Sequence, residues 1–241
     1  MKIINIGNRA VNNYLVQLPD GWLVIDTGYP NGYKRFKRKL NKSGIDEKDI
    51  KYIFITHAHD DHVGFLNELI ENTDAQIIMH HETPERLLVG HNKYKGGCSN
   101  KLAKFFVNNM GWFGKGEHSF PSVVIPDKTF IWDGRNQFFK EKGYDMQIIS
   151  LPGHTSDHIG LLLGDKLFCG DAAMNGFPSI KRNIIWIEDL ESYRNSWEIM
   201  INSKANTIYP SHGKPFSKTD LIRFYKKLDS IRLHKTRLSL E

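Results

Sequence analysis

Thr56-His57-Ala58-His59-Asp60-Asp61-His62 places four metal-capable side chains, His57, His59, Asp61 and His62, in one short stretch. Just before it, Tyr52 to Ile55 reads as a strand, and just after it the apolar spacing from about Val63 to Glu71 predicts a helix. Two histidines at i and i+2 on an extended segment point the same way, and the turn that follows can swing Asp61 and His62 toward the same volume. This crowding of donors suits two metals rather than one. Imidazole and carboxylate without thiolate favour zinc, with manganese or iron admissible. Asp60, between two of the candidates, is expected to face solvent or to lie outside the ligand shell.

Outward from this stretch, short runs rich in Ile, Val and Tyr predict strands at Ile3 to Ile6, Tyr14 to Leu18, Trp22 to Ile25 and Gln76 to Met79, with a helix at Tyr33 to Leu40. The second half repeats the theme. Strands are predicted at Ser122 to Ile125, Thr129 to Trp132, Met146 to Ser150, Ile159 to Leu163, Lys166 to Cys169 and Thr207 to Tyr209, with helices near Glu188 to Ser203 and Thr219 to Arg232. The class is therefore α/β with two sheet-containing halves. Residues 83–121 break the rhythm and read as an insertion, with helices at Thr83 to Val89 and Leu102 to Met110.

Three more candidates stand at ends of predicted strands beside small residues: His154 in Pro152-Gly153-His154-Thr155, Asp171 after Gly170, and His212 in Ser211-His212-Gly213. A single histidine there is more often a satisfied core or surface residue, so the ordered combination carries the argument. Asp26-Thr27-Gly28, His57 to His62, His154, Asp171 and His212 together resemble the motifs of the metallo-β-lactamase superfamily, over residues 26–213. The resemblance implies a four-layer αββα sandwich, one domain over residues 1–241, with a dinuclear metal site at one edge. It places His57, His59 and His154 on one metal, Asp61, His62 and His212 on the other, and Asp171 between them. Asp26 would orient the ligand loop without touching metal, and Asp61 would also carry the catalytic proton.

The remaining candidates are assigned ordinary roles. His80 and His81 match no ligand of the family and are expected to be surface polar residues, His158 to be structural, and Cys169 to be a buried, inert thiol.

Composition agrees with a soluble globular chain: 241 residues with 40% hydrophobic and 25% charged residues. No apolar run reaches the ~18 residues of a membrane helix, and Met1 to Asn5 open no signal-peptide core, so a cytoplasmic protein without membrane contact is expected. Two cysteines exclude a disulfide framework. The net charge of +6 sits in two segments: residues 31–42 hold six basic and no acidic residues, and residues 218–241 hold seven basic against three acidic. Both interleave charge with helically spaced apolar residues (Leu221, Phe224, Leu228 and Ile231 in the second), as solvated helix faces do.

Two cations sharing a carboxylate lower the pKa of a water from about 15.7 to about 7 and so supply hydroxide at neutral pH. The resemblance thus implies a metal-dependent hydrolase of a small carbonyl substrate: a thioester, lactone or other ester. Two members fit less well, since Met174 stands where acyl-homoserine-lactone lactonases carry tyrosine and the stretch after His212 is shorter than in hydroxyacylglutathione hydrolases. A phosphodiesterase or nuclease is the alternative, drawn from the basic segments, but nucleic acid is not favoured because Asp171 and His212 leave no room for an inserted nuclease domain. A mononuclear-iron sulfur dioxygenase ranks third. Within the insertion, Trp112, Phe113 and Phe120 are candidates for an apolar lid, and Lys95 or Lys115 for a substrate anion.

Overall fold

In the computed structural model, which describes residues 2–113, 118–135, 137–179 and 181–236, short β-branched runs become strands between turns rich in Gly, Asn and Asp. The first strands are β1 (Ile3–Asn5), β2 (Tyr14–Leu18), β3 (Gly21–Ile25), β4 (Ile50–Phe54), β5 (Gln76–His80), β6 (Gly97–Cys98) and β7 (Phe130–Trp132). They are followed by β8 (Met146–Ser150), β9 (Ile159–Leu163), β10 (Lys166–Gly170), β11 (Trp186–Ile187), β12 (Thr207–Pro210) and β13 (Phe216–Ser217). The helices are α1 (Tyr33–Lys42), α2 (Asp60–Val63), α3 (Leu66–Asn72), α4 (Thr83–Val89), α5 (Lys101–Asn108), α6 (Gln137–Glu141), α7 (Leu190–Asn202) and α8 (Lys218–Tyr225).

The chain divides into two units, one of residues 1–92 and 118–135, the other of residues 93–117 and 136–241. In the first, six strands run in the order β1-β2-β3-β4-β5-β7, antiparallel as far as β3 and parallel from there on. Leu15, Val24, Ile53 and Ile77 enter its core, and α1 contributes Phe36 and Leu40, four residues apart on one face. The basic residues of α1 lie on its other faces. Lys34, Arg35, Arg38 and Lys42 are exposed, and Lys37 reaches Glu47 at 2.6 Å, as a solvated basic face predicts.

In the second unit the order is β13-β12-β10-β9-β8, with β10 and β12 parallel and the other neighbours antiparallel. Trp197, Tyr193 and Met200 of α7 and Leu221 of α8 pack with Leu162, Leu167 and Ile208 in its core. Leu228 and Ile231 join them and Phe224 is partly buried, although the helix expected to reach Arg232 ends at Tyr225 and gives way to a 3-10 turn over residues 226–230, after which Ile231 is extended. A small antiparallel pair, β6 with β11, adds Cys98 and Trp186 to a separate cluster with Ala103 and Val107.

Two expectations need correction. Residues 122–125 form no strand. Pro121 and Pro126 flank them, Val123 N–H donates to Leu87 O at 3.1 Å, and Val124 is exposed, so the segment runs along α4 rather than pairing in the sheet. The helix expected from Val63 to Glu71 starts only at Leu66, as α3, and the turn expected over Asp61 and His62 is instead the short helix α2; a β-carbon at Gly64, between the two, would stand 2.2 Å from Pro30 N, so the chain bends there against another backbone segment. Among the described residues, no helix is long and apolar enough to cross a membrane.

Candidate metal centre

Adjacent parallel strands release their chain ends side by side, and this places the first group of donors. β3 and β4 pair in register at Ile25 and Phe54, so Asp26 and Thr56 leave the sheet as neighbours. Asp26 is fully buried and takes a left-handed backbone conformation, φ 56°, which a short polar residue adopts more readily than a bulky one. Its Oδ1 accepts the Thr56 N–H at 2.8 Å, and its Oδ2 accepts both the Thr56 hydroxyl and His62 Nδ1–H, each at 2.8 Å. Because the Thr56 hydroxyl is spent on Asp26, its oxygen is left to accept His57 Nδ1–H at 3.0 Å. One carboxylate thereby fixes the tautomer of two imidazoles and leaves each Nε2 as the lone-pair atom.

His57, His59 and His62 converge: their ring centroids lie 4.7 Å apart for His57 and His59 and 4.0 Å for His57 and His62. The short α2 carries Asp61 and His62, with Asp61 Oδ1 3.5 Å from His62 Nε2. The first unit thus brings together His57, His59, Asp61, His62 and Asp26.

The second unit assembles its donors by the same rule. β8, β10 and β12 all end at one edge, because β8 and β10 are both antiparallel to β9 while β12 is parallel to β10. His154 lies in the turn from β8 to β9, Asp171 follows β10, and His212 follows β12. His154 Nδ1–H donates to the Trp186 carbonyl at 2.8 Å, so its Nε2 is also a lone-pair atom. Asp171 Oδ2 then stands 3.5 Å from His154 Nε2 and 3.2 Å from His212 Nε2. His158, the expected structural residue, is fully buried and accepts the Asp171 N–H on Nε2 at 2.9 Å.

These separations test whether a metal fits. Two donors bound at 2.0–2.1 Å to a tetrahedral ion sit about 3.3 Å apart, and the three donor pairs measured here lie at 3.2–3.5 Å. A carboxylate oxygen facing an imidazole lone pair at that distance is a repulsive pair of acceptors until a cation stands between them. The donor chemistry of nitrogen and carboxylate oxygen suits a divalent ion.

Other expectations turn out differently. Of the two places expected for Asp60, facing solvent is not observed and lying outside the ligand shell is the one its contacts fit: it is buried, and its carboxylate accepts Asn92 Nδ2–H at 2.7 Å, because α2 turns it inward toward the segment after α4. His80 is not a surface residue either, being buried 5.9 Å from the Trp132 ring across the β5–β7 pair, whereas His81 is exposed. Phe120 packs into the core of the first unit, held by its N–H to Gly90 O at 2.8 Å, and forms no lid. Lys95 is exposed, while Lys115 and the side chains of Trp112 and Phe113 lie outside the described residues. Cys169 is buried, and burial drives its thiol well above the usual range, as an inert thiol requires. Thr56 and the Trp186 carbonyl escaped the sequence reading; the first had a signal, a hydroxyl flanking the first histidine, whereas a backbone carbonyl leaves none.

Residues 6–212 match the sequence model of the Metallo-beta-lactamase superfamily. The "Beta-lactamase-like protein 2 homolog" of Caenorhabditis elegans is 25% identical over 212 residues, 87% of this chain and 58% of that protein. "Thioesterase pkgB" of Emericella nidulans is 26% identical over 209 residues, 85% of this chain and 46% of its own length. The chain thus spans about half the length of these curated relatives. A solved archaeal metallo-beta-lactamase superfamily protein from Sulfolobus tokodaii superposes with a TM-score of 0.66 at 22% identity, over 94% of this chain and 84% of its own, which establishes likeness of fold.

Proposed function

The chain belongs to the metallo-β-lactamase superfamily, and from that premise we propose that it is a dinuclear, zinc-dependent hydrolase of a small carbonyl substrate such as a thioester, lactone or other ester. The observation that carries the reading is Asp171 Oδ2 set within 3.5 Å of two histidine Nε2 atoms, the disposition of a carboxylate shared between ions. His57, His59 and His154 would hold one ion, and Asp61, His62 and His212 the other. A relative named as a thioesterase supports the carbonyl class.

When bound, such ions supply hydroxide at neutral pH and draw electron density from a substrate oxygen. The chain's own residues do the rest. Asp26 holds His62 directly and His57 through Thr56 with the ring proton on Nδ1, which leaves the Nε2 lone pair as the donor and orients both rings. The Trp186 carbonyl does the same for His154, and His158 holds Asp171 by accepting its backbone N–H. Asp61, whose side chain is 13% exposed, can reach water and pass a proton to the leaving group.

The test is elemental analysis of protein purified without added metal, followed by turnover on a panel of thioesters, lactones, esters and phosphodiesters. The expected result is up to two zinc ions per chain, fewer in His59→Ala, with carbonyl-ester turnover abolished by chelation and restored by zinc. No bound metal, or turnover of phosphodiesters alone, would overturn it.

A further inference from the structure

Asp60 sits between His59 and Asp61 in the sequence, and its contacts lead away from the donors. Its N–H donates to Asn92 Oδ1 at 2.9 Å, and its Oδ1 accepts Asn92 Nδ2–H at 2.7 Å, a reciprocal two-point grip. Asn92 is itself buried, and its N–H donates to His118 O at 3.0 Å. His118 Nδ1 lies 3.9 Å from the same Asp60 Oδ1. His91 and Ser119 form a β-bridge, and Phe120 N–H donates to Gly90 O. Asn92 and His118 are the residues at which the chain leaves and re-enters the first unit, so both strands of this neck meet at one carboxylate.

A helix of four residues cannot hold its own geometry, since nucleation is unfavourable and its first N–H groups have no intrahelical acceptor. The placement of α2 is therefore set by what grips its ends. At the far end Thr27 grips the His62 carbonyl, through its N–H at 2.7 Å and its hydroxyl at 2.8 Å. At the near end His59 offers no capping side chain, and Asn92 supplies the acceptor instead.

We propose that Asn92 is a positioning residue of the metal centre: by gripping Asp60 at two points it sets the angle at which α2 presents Asp61 and His62, and it ties the neck at Asn92 and His118 to the donor geometry. This inference rests on the function proposed above.

The experiment compares wild type, Asn92→Asp and the exchanged pair Asp60→Asn/Asn92→Asp. The single change sets two carboxylates face to face and loses one bond, whereas the exchange restores both, since the carboxylate at 92 can accept the N–H and the amide of residue 60. Each protein is loaded with Co(II), its visible spectrum is recorded, and its zinc affinity is read by chelator competition, with circular dichroism melts as the folding control. Asn92→Asp is expected to weaken zinc binding on the order of 10–100-fold and to alter the cobalt bands, and the exchange to return both to within about twofold of wild type. Wild-type affinity and spectrum in Asn92→Asp, or an exchange as impaired as the single variant, overturns the role of Asn92 alone. If Asn92→Asp does not fold, the exchanged pair carries the test: wild-type cobalt bands support the role, and their loss overturns it. A wild-type chain that takes up no metal overturns the hydrolase reading and this inference together.

Discussion

Asp26 shows how one side chain governs several donors. In Asp26→Asn the backbone conformation is still accessible, but the amide turns a donor toward His62 Nδ1–H, which favours the other imidazole tautomer and puts a proton where the lone pair should be. Zinc affinity should fall on the order of 10–100-fold; chelator competition measures it, and an affinity within about twofold of wild type would count against the role of Asp26. Buried neutral groups make a second prediction at this scale. Burial pushes up both the Cys169 thiol and the Tyr193 phenol, so the folded chain keeps protons that the unfolded chain releases near pH 8.5 and 10, roughly. Below those values the contribution is intact. Above about pH 9 the folded state binds more protons and stability falls as pH rises, by up to about 1.4 kcal/mol per pH unit for each group. Urea midpoints at several pH values should show this decline, shallower in Cys169→Ala; an equal slope would place its origin elsewhere.

Among the elements, the turn from β8 to β9 is tightly constrained. Gly153 precedes His154, has φ +123°, and its carbonyl accepts the Glu188 and Asp189 N–H groups at 2.8 and 3.0 Å. A β-carbon there would lie 2.3 Å from Tyr193 N, at the start of α7, with no flexible side chain to yield. Gly153→Ala should cost about 3 kcal/mol or more in urea unfolding. Gly134→Ala, also at positive φ but with nothing within 4 Å, should cost about 1 kcal/mol. Equal losses in the two variants would mean that the contact with α7 is unimportant. The elements also show why the expected helix starts at Leu66 rather than Val63: the apolar spacing runs through Gly64, and only the Pro30 backbone beside it reveals the bend.

Over the whole molecule, metal binding should appear as stability. An ion bound by the folded chain alone adds about 2.7 kcal/mol at 100 times its dissociation constant, which in a chain of this size raises the melting temperature by roughly 5–10 °C. Melts with zinc, and after a chelator, check this; coincident curves would mean that the donors hold no ion in solution. The two-unit division has its own counterpart in the sequence. The ordered β and α patterns predict two sheet-containing halves, but the strand at Thr129 to Trp132, placed by its position in the second half, is β7 of the first sheet, and of the expected insertion at 83–121 only residues 93–117 fall in the other unit.

The α/β class, most strand positions and the crowd of candidate ligands from His57 to His62 were legible in the sequence because strand periodicity and clustered metal-capable side chains are local signals, whereas His154, Asp171 and His212 stood out only through the ordered family resemblance. The reading of residues 122–125 as a strand failed because apolar composition cannot tell a sheet partner from the side of a helix. The burial of Asp60 and His80, the grip of Asn92 across 32 residues, and the orientation of each imidazole by Asp26, Thr56 and the Trp186 carbonyl came only from the tertiary structure. A hydrogen bond between groups distant in the chain exists only once strand order and register set their backbones side by side, and no property of either residue announces its partner.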